Sequence, residues 1–318
     1  MNYIEQAYKG KNEWYHWLFT IVIVFFGWQL LGAIPLTMAG WAKSKNTIQF
    51  TEFAKDNFMT AGLDKNFLLF LILFMFLVGL IFLFIGIKYI HQRSFTSLIT
   101  SRTKVDWKRF FYGFFIWGIL ALVMTYASIL LAPENFIWNF NATPFFTLVA
   151  VSFIFIPFQT GFEELLFRGY FMQGIGVLAK NRWVPLVVTS LVFGLLHGTN
   201  PEVAKLGEIT MVFYIGTGLL FGIVTLMDEG TEIALGLHAV NNITAAFFVT
   251  TDWTVFQTDA LYIDISEPSV SWEMFVPVFI LYPVMLFLFS KKYGWTDWKE
   301  KLTGKITKPD SLKETLEV

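Results

Sequence analysis

The chain has 318 residues, of which 55 % are hydrophobic and only 15 % are charged, and it contains 37 phenylalanines. This composition excludes an ordinary water-soluble globule and indicates a protein whose solvent is the lipid bilayer. The net charge is −1, with no basic groove for nucleic acid, and the absence of cysteine excludes disulfides, thiol nucleophiles and thiolate metal sites.

Eight apolar runs are candidates to cross the membrane, for which a helix needs about 20 residues. They cover residues 17–41, 66–90, 110–132, 144–177, 183–199, 208–227, 231–250 and 272–290. The first run is interpreted as a spanning helix and not as a signal peptide, because it is long and no clear cleavage site follows it. The sequence therefore predicts an all-α fold, a polytopic membrane helix bundle of about eight transmembrane helices.

The distribution of positive charge predicts how this bundle is oriented. Eight spans place both termini on one side of the membrane. With the termini inside, 17 Lys and Arg residues fall in inner segments and five in outer segments, and Arg168 lies within a helix. Because positive charge accumulates on the cytoplasmic side, we expect a multi-pass protein of the cell membrane with both termini in the cytoplasm.

The fourth apolar run contains three ionisable residues within six positions: Glu163, Glu164 and Arg168. A charged side chain at bilayer depth costs roughly 2.5 to 3.5 kcal/mol, so it persists mainly where it is paired or functional. Glu164 and Arg168 are spaced i, i+4 and share a helix face, which predicts an ion pair. Glu163 points about 100° away from that pair. The spacing favours a structural pair and a separate carboxylate that is free for chemistry.

Two of the four histidines, His197 and His238, lie inside the fifth and seventh runs. Each alone is compatible with a satisfied core residue or with polar contacts that hold helices together. Asn242 follows His238 at i+4, so both side chains project from one helix face. Helical rise places Glu163 and His197 about 25 and 22 Å from the inner turn, and His238 and Asn242 about 9 and 15 Å from the inner end of theirs. We expect Glu163 to face His197, with helix tilt closing the remaining gap.

These residue types are suited to hydrolysis. A carboxylate can take a proton from water, a neighbouring imidazole can orient that water, and His and Asn side chains can donate hydrogen bonds to an oxyanion. Other membrane-embedded peptidases are disfavoured, because the chain lacks His-Glu-x-x-His, Gly-x-Ser-x-Gly and Gly-x-Gly-Asp motifs.

The polar residues form three motifs that follow one another along the chain. They are Glu163-Glu164-x-x-x-Arg168, Phe193-x-x-x-His197 and His238-x-x-x-Asn242, with Gly169-Tyr170 and Gly198 as neighbours. In this combination they resemble the CAAX-protease and bacteriocin-processing (CPBP, or abortive-infection) family of intramembrane peptidases. The resemblance covers residues 143–250, which are expected to form the catalytic core. Residues 1–142 then hold the N-terminal helices with a basic cytoplasmic loop, and residues 251–318 hold the last helix and a Lys-rich cytoplasmic tail.

The resemblance also implies a role for each motif residue. Glu163 and His197 would activate water, and His238 and Asn242 would hold the oxyanion. The supporting residues would be Glu164, Arg168 and Phe193. The implied function is an intramembrane endopeptidase acting on a peptide or lipidated protein tail that enters from the cytoplasmic side. The alternative is a non-catalytic membrane protein, either an immunity factor or a transporter, in which the same residues are structural.

The family is usually described as one of metallopeptidases, which raises the question of zinc. A catalytic zinc takes three protein ligands, and Glu163, His197 and His238 could supply them. Against zinc, Asn242 is a poor ligand but a good oxyanion donor. If Glu163 were a ligand, Glu164 would have to act as the base while it is bound to Arg168. We therefore expect a metal-independent, glutamate-type mechanism with no cofactor, and keep zinc as the alternative.

Overall fold

The computed structural model describes residues 1–309, so the last nine residues of the predicted tail lie outside the described part. Eight helices dominate the fold and coincide with the eight predicted runs. They are α1 (Trp14–Lys43), α2 (Lys65–Ile90), α3 (Trp107–Leu131), α4 (Ala142–Ala179), α5 (Trp183–Thr199), α6 (Glu208–Asp228), α7 (Glu232–Phe247) and α8 (Trp272–Tyr293). The predicted all-α membrane bundle is confirmed.

The eight helices are not equally long. Within residues 1–309, six are long and apolar enough to cross a membrane, and the exceptions are α5 and α7. The regular helix of α5 ends at Leu196 and continues as one 3₁₀ turn, His197–Thr199. Helix α7 has 16 residues and carries the polar sequence His238 to Asn242. The predicted count of eight is therefore approximate, because α5 and α7 are shorter than the other six helices.

Several helix starts are fixed by acidic side chains that accept the backbone N–H groups left free at the first turn. Asp64 accepts from the amide of Phe67 at the start of α2, and Asp106 accepts from the amide of Lys108 at the start of α3. Short helices connect the long ones or flank them. They are Ile4–Lys9, Thr47–Lys55, Thr96–Ile99, Pro201–Leu206 and Trp298–Thr303.

At the end of the bundle where α4 begins and α7 ends, three short strands form a small sheet. Strand β1 (Phe136–Trp138) pairs antiparallel with β3 (Tyr262–Asp264), and β2 (Val249–Thr250) pairs parallel with β3. Ile137 lies opposite Ile263 in the first pair. The sheet joins the segments that precede α4 and follow α7, the two helices that carry most of the polar cluster.

Helices α3 to α7 pack closely. Helix α7 lies against α3 and α4, and α5 lies against α6. At Gly218 of α6, a Cβ atom would stand 2.7 Å from the carbonyl oxygen of Ser190 on α5. Only glycine permits that approach, which agrees with the small-residue spacing common between membrane helices.

The N-terminal segment and the segment that follows α8 meet at the opposite end of the bundle, on the side chain of Glu229. This carboxylate accepts a hydrogen bond from the amide of Tyr3 and forms ion pairs with Arg182, at 3.2 Å, and with Lys301. Tyr3 and Ile306 are both buried. Both described termini therefore lie at the same end of the bundle, as an even number of spans requires.

Candidate active site

The site is built around a buried ion pair on α4. Glu164 and Arg168 are fully buried, and Oε1 of the glutamate lies 2.9 Å from Nη1 of the arginine. This is the expected i, i+4 pair. Arg168 lies in a π-helical stretch, Leu165–Phe171, and wide turns of this kind are frequent at functional sites. Its guanidinium also donates to the carbonyl oxygen of Gly218 at 3.1 Å, so the pair ties α4 to α6.

Glu164 has a second partner that the spacing did not predict. Its Oε1 lies 2.9 Å from Nδ1 of His238 on α7. A carboxylate that binds Arg168 can only accept, so Nδ1 of His238 carries the hydrogen. Glu164 thus fixes the orientation of the imidazole and leaves Nε2 directed toward Glu163.

Glu163 forms no ion pair with Arg168 within the described residues and lies at the edge of the buried region. Its Oε1 accepts from Nε2 of Gln159 at 2.7 Å. Its Oε2 has no hydrogen-bond partner among the described residues and lies 3.6 Å from Nε2 of His238. The side chain is 13 % exposed. One oxygen of this carboxylate is thus held in place and the other is available as an acceptor.

Asn242 completes the group through Gln159, a residue that the sequence analysis missed. Nδ2 of Asn242 donates to Oε1 of Gln159 at 3.1 Å and lies 3.4 Å from Nε2 of His238. Gln159 stands at i−4 from Glu163, so the same helix-face argument that paired Glu164 with Arg168 could have identified it. Gln159 links the predicted base to the predicted oxyanion donor.

His197 lies at the end of α5, and its ring and that of His238 both contact the ring of Phe193. The ring centroids of His197 and His238 are 4.7 and 5.9 Å from that of Phe193, and His197 also stacks on Tyr214 at 4.5 Å. Nδ1 of His197 donates to the carbonyl oxygen of Phe193 at 2.7 Å. This bond leaves Nε2 as the acceptor in the neutral ring.

The structure corrects the expected pairing of these groups. Within residues 1–309, the histidine in contact with Glu163 is His238, and no hydrogen bond or ion pair joins Glu163 to His197. Helical rise predicts too shallow a position for His238, because the residues are counted from Glu232 as if this residue lay at the inner membrane surface. Glu232 is fully buried and bound to Arg102, so it does not mark the surface.

Phe193 supports the site as a packing residue. Its ring lies 4.2 Å from the guanidinium carbon of Arg168 and has only 2 % of its surface exposed. A cation over an aromatic face is stabilised by the ring electrons, most strongly when water is excluded. Phe193 therefore contacts Arg168 and both histidine rings of the site.

The donor atoms do not fit the three-ligand zinc site considered above. In the described part of the chain, no three His, Asp or Glu side chains converge closely enough to hold a metal ion. Of the three residues considered, Glu163 and His238 are close, whereas no hydrogen bond or ion pair joins His197 to either of them within residues 1–309.

His238 lies between the two carboxylates of the site. Its Nδ1 donates to Glu164, and its Nε2 faces Glu163 at 3.6 Å and Asn242 at 3.4 Å. Arg168 is the fixed positive charge beside Glu164.

The comparisons with known proteins agree with this geometry. Residues 142–244 match the family model described as "Type II CAAX prenyl endopeptidase Rce1-like". The chain is also similar to the "Uncharacterized protein YyaK" of Bacillus subtilis (strain 168), with 29 % identity over 288 residues, covering 87 % of this chain and 92 % of that protein. No solved structure matches. The polar residues of the site, which run from Gln159 to Asn242, all lie within the matched segment. The resemblance predicted from the three motifs is confirmed.

Proposed function

We propose, on the premise that residues 142–244 are the Rce1-like segment of a CAAX-protease-type intramembrane endopeptidase, that the polar group hydrolyses a peptide bond with water activated by Glu163. The observation that carries the proposal is the unpartnered Oε2 of Glu163 beside His238. Oε2 of Glu164 also has no hydrogen-bond partner among the described residues, but Glu164 is fully buried, whereas the side chain of Glu163 is 13 % exposed and is the one that water can reach.

In the proposed reaction, the water oxygen attacks the carbonyl carbon while its proton moves to Oε2 of Glu163. Nε2 of His197 accepts a hydrogen bond from the same water and orients it. The C–N bond then breaks, and the proton on Glu163 is transferred to the leaving amine. Glu163 ends each turnover as a carboxylate, so water is the only co-reactant.

The oxyanion accepts hydrogen bonds from His238 and Asn242. When His238 is protonated, its Nε2 no longer accepts from Asn242, so one N–H of the amide is released toward the same region. Glu164 holds the imidazole through Nδ1, and Arg168 holds Glu164 through the ion pair between their side chains. No step requires a metal ion or another cofactor.

The substrate we propose is a peptide or a protein tail, including one that carries a lipid. The site lies among helices whose outer surfaces are apolar, so a lipid-anchored chain would already be concentrated in the surrounding bilayer. The matched family's description names a prenyl endopeptidase, which makes a prenylated tail the first substrate class to test.

The function is tested by comparing new peptide termini in membranes that contain wild type, Glu163→Gln or Glu134→Gln. Membrane proteins and peptides, with and without a prenyl group, are incubated and analysed by mass spectrometry. Glu134 is an exposed glutamate outside the polar group and serves as the matched control. Wild type and Glu134→Gln should produce the same termini, and Glu163→Gln should produce them at least about 100-fold more slowly.

Two outcomes would contradict the proposal in different ways. Undiminished cleavage by a folded Glu163→Gln protein would rule out this residue as the base. If no termini depend on the wild-type protein, a non-catalytic immunity factor or transporter becomes the better description. Size-exclusion chromatography of each purified variant establishes that the comparison is made between folded proteins.

A further inference from the structure

A chain of hydrogen bonds extends from the site to Trp117 on α3, outside the matched segment. The indole Nε1 of Trp117 donates to Oδ1 of Asn241 at 3.2 Å. Nδ2 of Asn241 donates to Oδ1 of Asn242, also at 3.2 Å. Asn242 donates to Gln159, and Gln159 donates to Glu163, at 3.1 and 2.7 Å.

The two ends of this chain fix its direction. An indole N–H can only donate and a carboxylate can only accept, whereas each amide between them could point either way if it stood alone. With Trp117 donating at one end and Glu163 accepting at the other, all three amides must direct their NH₂ groups toward Glu163. Turning Asn242 around would place its oxygen against the oxygen of Gln159 and its NH₂ against the NH₂ of Asn241.

Packing alone does not hold Asn241 in this orientation. Its side chain lines a cavity of about 170 Å³ between α3 and α7, together with Thr125 and Thr244. Since a water molecule takes up about 30 Å³, the cavity has room for the amide to rotate and for its partners to be replaced. The bond from Trp117, which is 9 % exposed, is the restraint that selects the observed orientation.

We propose that Trp117 and Asn241 are positioning residues that orient the amide of Asn242 toward the reacting carbonyl. This inference rests on the proposed function, because it assigns the orientation of a group that stabilises the oxyanion. Neither residue touches the reacting atoms. Their effect is therefore on the rate of the chemical step and not on substrate binding.

The test is a kinetic comparison of Trp117→Phe with a matched control, Trp28→Phe. Trp28 is also packed among aromatic rings, but its Nε1 has no partner in the described structure. Trp117→Phe should lower kcat about tenfold and change KM less than twofold, as expected for one hydrogen bond lost in the transition state. Trp28→Phe should change neither. If Trp117→Phe does not fold, Asn241→Ala is measured instead and should give the same loss.

A double substitution separates positioning from a general structural role. In the Asn242→Ala background, Trp117→Phe should cause no further loss of kcat, because the amide it orients is gone. A kcat of Trp117→Phe within twofold of wild type would overturn the proposal. The proposal would also be overturned if Trp117→Phe lowered kcat as much in the Asn242→Ala background as it does in wild type.

A measurement without substrate distinguishes failure of this inference from failure of the proposed function. In protein labelled with ¹⁵N-tryptophan, the indole N–H signal that disappears in Trp117→Phe should shift in Asn241→Ala, while the Trp28 signal stays in place. A shift without any wild-type turnover supports the hydrogen-bond chain and contradicts the proposed hydrolysis. If the Trp117 indole signal does not shift in Asn241→Ala, the hydrogen bond from Trp117 to Asn241 is contradicted.

Discussion

Arg168 is the residue on which the other charged groups of the site depend. It is fully buried, it neutralises Glu164 directly, and its guanidinium lies against the ring of Phe193. Glu164 in turn orients His238. Removing the arginine would leave Glu164 and Glu163 in a buried region without a fixed positive charge, which costs more than the loss of one contact.

We predict that Arg168→Ala lowers the folded yield, because breaking a buried pair by removing one partner costs about 3–5 kcal/mol. Glu163→Gln should fold at wild-type yield, because a glutamine side chain retains the acceptor that Gln159 binds. The measurement is the monodisperse fraction of each purified variant in the same detergent. Equal yields for wild type and Arg168→Ala would contradict the structural role of the pair.

The burial of His91, just beyond the end of α2, predicts how the stability of the protein depends on pH. It is fully buried between the carbonyl oxygen of Lys11 and the hydroxyl of Tyr170. Burial lowers the pKa of His91 to about 4, although the bond to Lys11 opposes the shift. The unfolded chain therefore binds a proton at higher pH than the folded protein does. Stability should be highest above about pH 6.5 and fall by up to about 3 kcal/mol as the pH drops to 4.

The check is the thermal unfolding midpoint in detergent at pH 7 and at pH 4.5, for wild type and His91→Gln. A glutamine can still bind the carbonyl oxygen of Lys11 but does not titrate. The variant should lose less of its midpoint on acidification than wild type does. An identical loss in both proteins would show that other groups cause the acid sensitivity.

At the level of helices, α5 and α6 approach each other closely beside the site. Helix α5 carries His197, and α6 carries Gly218, which binds Arg168. Gly218 lies against the backbone of Ser190 and also provides the carbonyl oxygen that Arg168 binds. A methyl group at this position meets backbone, which cannot move aside as a flexible side chain can. The helices would have to separate, and the hydrogen bond to Arg168 would lengthen.

Gly218→Ala should therefore lower the free energy of unfolding by about 1–3 kcal/mol, as overpacking of a membrane core does. Gly198→Ala is the matched control, because a Cβ at Gly198 would have no neighbour within 4 Å. Both variants are compared by thermal unfolding in the same detergent. Equal midpoints for Gly218→Ala and wild type would mean that α5 and α6 can separate without cost.

The sequence predicted the helices well, because long apolar runs leave few alternatives in a bilayer. It predicted the ion pair of Glu164 with Arg168 for a similar reason, since i, i+4 contacts are determined within one helix. Contacts between helices were harder. The proximity of Glu163 to His238 and the link from Trp117 to Asn241 depend on helix rotation and depth, which spacing along the chain does not determine.

Over residues 1–309, the N-terminal segment and the segment after α8 meet at one end of the bundle through Glu229. The orientation of that end is a prediction from charge alone. We expect it to face the cytoplasm, because its loops and tail hold 17 Lys and Arg residues against five at the other end. Tags fused to either terminus should be protected from protease in intact cells and cleaved in opened cells. Cleavage of both tags in intact cells would reverse the orientation.

In the proposed mechanism, Glu163 activates water for peptide hydrolysis without a metal ion. The most direct measurement is the cleavage rate of a peptide whose termini depend on the wild-type protein, using purified protein stripped with a strong chelator and shown metal-free by elemental analysis. We predict that stripped wild type retains its rate and that stripped Glu163→Gln is at least about 100-fold slower. Loss of wild-type activity that stoichiometric zinc restores, or equal rates for the two proteins, would contradict the account.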